Sequence, residues 1–584
     1  MSLALSICIF GCNNLKETDA MKNLKIHYHR YDGDYKDWTL WTWLDDVQRE
    51  INPSDTDDYG VVFEVELDKY PEKGNINFLP KYKDWEAKDA PNRFWDRSQK
   101  KEVWILPGDP KVYTSRPDTS KTVQRAFIDD RDSLTVTLSH PLTAQEVKEV
   151  RAKIIFENGA DMENLSEELF SKNDQKSNII ILKTDRTIKL SELPATLEIE
   201  GWQSGPLLLR NIFDNPEYQT EHPLGIDYSS EKTLFRVYAP GAIKVQLNIY
   251  DSPHTGKAKI YQLEKSKNGI WKTEIAQDLR DKYYTYQVDG PDPYYNFDKE
   301  LIDPNARATT SHNGRGIIKQ DDTKIDPGPK FSIDQAIIYE MHIRDFTIDR
   351  SSGVKIKGKF PGFHEEGTTI PGTDISTGLD HLVDLGINTV QIMPIQDFEH
   401  IDKGDSYFWG YMPVNFNAPD GWFSTNPSHG SGVEEFKKLV DGLHKRGIKV
   451  VMDVVYNHTA ETSSHIYYNF NGFAPNFYYR EKPDGSFWNG SGTGNETRSE
   501  NPMVRRFIVE SLKYWVREYK VDGFRFDLMG LHDMQTMETI VKELRRIKPD
   551  IFIYGEPWTA GPTPIDPTVK GDQKNKGFAV FNDH

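Results

Sequence analysis

Three short runs in the last third of this 584-residue chain limit what it can fold into: Asp453-Val-Val-Tyr-Asn-His458, Gly523-Phe-Arg-Phe-Asp527 and Tyr554-Gly-Glu-Pro-Trp558. Each is a stretch of strand-forming residues bearing a carboxylate, which reads as a buried strand of a parallel barrel delivering an acid to one rim. From about Ile333 the hydrophobic period switches between β runs and helical stretches, as a βα-alternating barrel requires. Strands are expected near Ile337 to Ile343, Thr389 to Met393, Val450 to Val455, Gly523 to Leu528 and Ile551 to Tyr554, with a sixth in Gly577 to His584. Between them Ser431-Gly-Val-Glu434 reads as a capping box. It opens a helix with Val433, Phe436, Val440 and Leu443 at helical spacing, and Asn501 to Tyr519 reads as a second amphipathic helix.

Two acids at one rim are enough for glycoside chemistry. A retaining glycosidase keeps one carboxylate ionised as nucleophile and a second protonated as general acid, about 5 to 5.5 Å apart across the scissile bond. Residues i and i+2 of a strand share a face, so Arg525 and Asp527 project together, and a fixed guanidinium should lower the Asp527 pKa. Glu556 is flanked by Pro557 and Trp558, apolar neighbours that should raise its pKa toward that of a proton donor. The expectation is of two acids whose pKa values are pushed apart.

In this order the three segments closely resemble the sequence regions of the α-amylase family of (β/α)8-barrel glycosidases. The resemblance implies Asp527 as nucleophile, Glu556 as general acid/base, and Arg525 and His458 as supports of the sugar at the cleavage point, with Asp453 and Asn457 beside them. Tyr339 to Phe346 and Asn495 to Leu531 resemble type I pullulanases, which hydrolyse α-1,6 branch points. Their motif Tyr-Asn-Trp-Gly-Tyr-Asp-Pro stands here as Tyr407-Phe408-Trp409-Gly410-Tyr411-Met412-Pro413. By that resemblance Trp409 and Tyr411 contact substrate, with Tyr411 stacked under the sugar. Phe408 and Met412 put apolar residues where the motif is polar, which leaves a broader debranching or α-1,4 activity open. No cofactor is required, because two carboxylates suffice, and no EF-hand spacing occurs. Asp and Asn side chains beside Asp453 and Asn457 could still gather a calcium ion.

The length implies several domains, about four on the size prior. Residues 24–117 alternate like an all-β module, in which Trp41 and Trp43, two apart, share a strand face and Trp38 takes the other. His27-Tyr-His-Arg30, Asp37 to Trp43, Trp85 to Asp89 and Val103 to Asp109 resemble the α-glucan-binding module at the front of bacterial pullulanases, implying sugar contacts from Trp41, Trp43 and Lys88. Residues 118–208 read as a β-sandwich spacer. Residues 209–325 resemble the carbohydrate-binding-module-like sandwich that precedes the barrel in debranching and branching enzymes, and 326–584 read as a partial (β/α)8 barrel. A net charge of −18 argues against nucleic acid, whose phosphates it would repel. A neutral polymer suits the charge better, and 13 Trp and 28 Tyr offer flat faces for sugar rings, although most of them will be core; the resemblance implies an α-glucan such as pullulan, starch or glycogen.

The two cysteines, Cys8 and Cys12, lie in an apolar N-terminal run too short to span a bilayer. Ile9-Phe10-Gly11-Cys12 followed by Asn13-Asn14 resembles a bacterial lipoprotein signal with Cys12 as the lipidated residue, although no Lys or Arg precedes the run. Residues 1–23 are thus expected to be signal and tether, placing the protein in the bacterial cell envelope, lipid-anchored or secreted. It would meet a membrane only through that anchor. At the other end the sequence stops at the expected sixth strand, before the His-Asp pair that the family carries further on. A catalytically incomplete piece of a pullulanase-like enzyme is expected, and the alternative is a surface glucan-binding protein without activity. The presence of Arg525, Asp527 and Glu556 together favours the first.

Overall fold

The computed structural model describes residues 23–89, 92–109, 111–162, 166–169, 176–400, 407–461 and 469–582. Cys12, the expected lipidation site, lies outside the described residues. Among those described, no helix is long and apolar enough to cross a membrane.

A six-stranded parallel sheet organises the C-terminal half, in the order β1 (Ile338–Met341), β2 (Thr389–Ile392), β3 (Lys449–Val454), β4 (Gly523–Phe526), β5 (Phe552–Gly555) and β6 (Ala579–Val580). Each of the first four is followed by a helix: α1 (Gly378–Leu385), α2 (Gly432–Lys445), α3 (Pro502–Tyr519) and α4 (Met534–Ile547). This strand-helix succession is that of a (β/α)8 barrel, seen here as an arc of six strands. Strands β2 to β5 are buried along their whole length, which is why their sequences show no regular alternation of polar and apolar residues.

The helices start where local chemistry allows. Asn501 caps α3, its Oδ1 accepting from the Met503 and Val504 amides at 2.8 and 3.2 Å, with Pro502 in the first turn. Asp533 caps α4 through the Thr536 amide at 3.0 Å. The expected capping box on α2 is absent. Ser431 is already helical in φ and ψ and makes no side-chain cap; its Oγ accepts instead from the Asn426 amide at 2.9 Å.

Three β-rich layers precede the barrel. In the first, a four-stranded sheet around Asn23–Tyr28 packs on a five-stranded sheet around Trp38–Leu44 and Ile76–Tyr82, enclosing Leu24, Ile26, Tyr28, Leu40, Phe63 and Trp95. Next comes one continuous order of eight strands between Val123 and Leu209. Two four-stranded sheets follow, enclosing Phe235, Val237, Val245, Leu247, Tyr284 and Tyr286. The eight-stranded layer touches the barrel directly: Arg210 grips Asp129 with two hydrogen bonds (2.7 and 2.6 Å) and donates to the Lys482 carbonyl at 3.1 Å. Thr137 donates to the Pro483 carbonyl at 3.1 Å.

Candidate active site

Cross-strand register, not sequence adjacency, assembles the site. Asp453 on β3 pairs with Arg525 on β4, which pairs with Tyr554 on β5, so the three side chains leave the sheet on one face. Asp527 follows β4, and its amide bonds to the Val454 carbonyl at 3.1 Å. Glu556 follows β5, and its amide bonds to the Phe526 carbonyl at 3.1 Å. Gly555 permits this approach: a Cβ there would lie 2.5 Å from the Phe526 carbonyl oxygen.

Arg525 sits at the centre. Its Nη1 donates to Asp453 Oδ1 at 2.9 Å and to Asp527 Oδ1 at 3.3 Å, while Nη2 donates to Glu556 Oε1. The remaining oxygens are held too. Tyr411 Oη donates to Asp453 Oδ2 at 2.7 Å, Asn457 Nδ2 donates to Asp527 Oδ2 at 2.9 Å, and the Leu528 amide donates to Glu556 Oε2 at 2.8 Å. Leu528 does so from a left-handed backbone with φ of 38°, a strained position for a branched residue and of a kind that clusters at functional sites. His458 closes the network, with Nε2 at 2.7 Å from the Tyr411 carbonyl and Nδ1 at 2.6 Å from Asn457 Oδ1. Burial pushes its pKa down to about 4.

The electrostatics differ from the sequence expectation. Asp527 is raised, not lowered, because desolvation outweighs the Asn457 hydrogen bond and the Arg525 charge. Glu556 is also raised, again first by burial, with Arg525 and the Leu528 amide opposing. Asp453, fully buried, is raised to about 7. The common cause is burial: the three carboxylates lie in a dry site around one guanidinium, whose charge lowers each of them without offsetting the desolvation. The group therefore favours holding a proton.

The sequence therefore named seven residues that the structure joins in one network: Tyr411, Asp453, Asn457, His458, Arg525, Asp527 and Glu556. Trp409 stands apart from it, 61% exposed. Three residues it did not assign to the site lie beside it. Tyr554 donates to Gln391 at 2.7 Å, and Gln391 to Glu340 at 3.0 Å, lining with Glu556, Trp558 and Phe581 an open cavity of about 450 Å³. The signal was available: Gln391 is a lone polar residue inside the apolar run Thr-Val-Gln-Ile-Met.

The calcium expectation moves. Both oxygens of Asp453 and the side chain of Asn457 are engaged, with a guanidinium where a cation would sit. Among the described residues the cluster able to offer metal ligands is Asp397, His400 and Asp420, all buried, with ligand atoms within 4.8 Å of one another. Asp397 Oδ2 also accepts from Thr309 and Asn415, each at 2.7 Å.

In the first module the strand Trp38–Leu44 buries Trp38, Leu40, Thr42 and Leu44 and leaves Trp41 and Trp43 half-exposed on the other face. Lys88 is exposed and pairs with Lys81, which pairs with Thr39; Lys88 therefore shares the face of the two tryptophans.

Known proteins match along the chain in the same order as these layers. Residues 22–114 match the family "Bacterial pullanase-associated domain", 223–306 "Carbohydrate-binding module 48 (Isoamylase N-terminal domain)" and 370–550 "Alpha amylase, catalytic domain". The solved pullulanase of Bacillus acidopullulyticus superposes with a TM-score of 0.70 at 31% identity, over 79% of this chain and 70% of that one. The chain belongs to the pullulanase-type branch of the α-amylase family of glycoside hydrolases. Pullulanase of Bacillus subtilis is 32% identical over 65% of this chain and 53% of its own length. Chloroplastic isoamylase 1 of Arabidopsis thaliana is 33% identical over 52% and 43%. The chain thus spans about half the length of the curated relatives it matches. One solved relative, a pullulanase of Anoxybacillus, is described as complexed with maltotetraose.

Proposed function

We propose that this site hydrolyses α-1,6 branch points of pullulan, starch or glycogen with retention of configuration. The observation that carries the reading is the pair Asp527 and Glu556, set on adjacent strand ends and held by one guanidinium. Asp527 attacks the anomeric carbon from a position fixed by Asn457 and Arg525, and Glu556 gives its proton to the departing glycosidic oxygen. Water then enters, Glu556 takes a proton from it, and the Asp527–sugar bond breaks. Burial, which raises the Glu556 pKa, favours the proton that this group must hold before the first step. Trp41, Trp43 and Lys88 would hold the polymer outside the cleft, and Cys12 would tether the protein to the envelope.

A cation at Asp397, His400 and Asp420 would brace the loops beside Trp422 and play no part in bond breaking. Two carboxylates fit calcium, although the imidazole is a ligand that calcium, which favours oxygen, uses little.

The test is release of reducing ends from pullulan and from unbranched amylose. Activity on pullulan that Asp527→Asn and Glu556→Gln each abolish supports the proposal. Activity on amylose alone would move the assignment to an α-1,4-acting hydrolase, which the apolar Phe408, packed near Trp422 with ring centroids 6.0 Å apart, would then explain. Glycogen binding without turnover, in a chain extended to the length of its relatives, would leave a glucan-binding protein.

A further inference from the structure

The first module carries more exposed ring surface than its tryptophan pair. Residues directly opposite one another on neighbouring strands project to the same side of a sheet. Trp43 pairs with Asn77, and Asn77 pairs with Phe94. Phe94 therefore stands on the face of Trp41 and Trp43, two strands away. It is 55% exposed. The remaining ring is Trp85, in the turn between Ile76–Tyr82 and Ala87–Lys88, 45% exposed and in edge contact with Trp41 at a centroid separation of 5.4 Å and an interplanar angle of 68°. Trp85 adopts a left-handed φ of 67°, a conformation that bulky residues rarely take. The strained backbone holds this large ring nearly half in water, against Trp41 and with the Lys81 ammonium 5.4 Å from its centroid.

The four rings share one side of the sheet: Trp41 and Trp43 on one strand with Asn77 on the next, Trp85 against Trp41, and Phe94 beyond Asn77. Such a surface measures roughly 7 Å along the strands and about 10 Å across them, from the standard rise and strand spacing, and so exceeds a single sugar ring. Resting on the α-glucan reading of this module, we propose that Phe94 is a third sugar-stacking ring. The module then holds a curved run of several glucose units rather than one or two. The apolar face of each pyranose lies on a ring, and the hydroxyl edge reaches Asn77 and Lys88.

The experiment uses the full chain carrying Glu556→Gln, so that ligand is not consumed, titrated with maltotriose and with maltohexaose by calorimetry. Trp41→Ala serves as the reference for the module's share of binding. Phe94→Ala should weaken maltohexaose by roughly three- to tenfold, the size of one aromatic contact, and leave maltotriose unchanged. Phe94→Trp should keep maltohexaose affinity at or above that of the parent, which a merely structural role for the ring would not produce. Equal maltohexaose affinity in Phe94→Ala and its parent, with binding still lost in Trp41→Ala, overturns the third-ring proposal and leaves the α-glucan reading intact. Failure of the parent chain to be retarded by glycogen in affinity electrophoresis overturns the α-glucan reading itself.

Discussion

Replacing Asp453 by Asn removes one titrating group from a cluster that cannot hold all its charges. In the folded chain Asp453 is fully buried between Arg525 Nη1 and the Tyr411 hydroxyl, and its pKa is raised from 3.8 to about 7. An acid whose folded pKa lies above its unfolded value gives up stability as pH rises. The contribution is intact below about pH 4, where both states are protonated, and is lost progressively until the folded value is passed near pH 7. Three units at 1.36 kcal/mol each set a ceiling of about 4 kcal/mol on that loss, of which about 2 kcal/mol falls between pH 5 and pH 7. Asn keeps an acceptor for Tyr411 or Arg525 and carries no charge, so the variant should not lose this part. Relative to the parent, Asp453→Asn should gain stability on going from pH 5 to pH 8.

The sandwiches unfold on their own terms, so the readout must be local. Urea unfolding at pH 5, 6, 7 and 8, followed by hydrogen exchange of peptides spanning β3 and β4, separates the barrel from the preceding modules. A parent curve that falls with pH more steeply than that of the variant, in which Asp527 and Glu556 still carry raised pKa values, is the expected result. Parallel curves would mean that Asp453 is ionised at neutral pH in the native state. The argument from the burial of Asp453 would then fail.

Substrate fills the cavity beside Glu556 and displaces its water, so the alkaline limb of kcat, where the proton donor is lost, should lie at higher pH than that of kcat/KM; coincident limbs would argue against desolvation as the main cause of its raised pKa. If Asp397, His400 and Asp420 hold calcium, adding it should raise the thermal midpoint and Asp397→Asn should erase the increment, whereas a midpoint indifferent to calcium and chelator would assign the cluster to proton sharing. Cys12→Ser should move the expressed protein from the membrane to the soluble fraction; unchanged partitioning would exclude a lipid at that position.

What was legible in the sequence followed from one-dimensional patterns. Runs such as Val450-Val-Met452 are apolar because both faces of a barrel strand are covered, and parity set Trp41 and Trp43 on one face and Trp38 on the other, leaving it to the structure to show that the Trp38 face is the buried one. Neighbours at i and i+2 were also visible, which is how Arg525 was tied to Asp527. What the pattern could not show was the register between strands. Arg525 meets Asp453 from one neighbouring strand and Glu556 from the end of the other, and those two partners turn a guanidinium expected to depress one pKa into one shared among three acids. The same limit hid the capping of α2, since Ser431 found its partner in the loop before the helix. It also hid the grouping of Asp397 with Asp420, which lie 23 positions apart in the sequence. Apart from the local Ser431 contact, each miss is a contact whose partner is chosen by tertiary packing. The sign of a pKa shift is therefore the kind of property that sequence spacing alone predicts least well: it depends on the burial and charge around a group, and both are set by strands brought together only when the sheet forms.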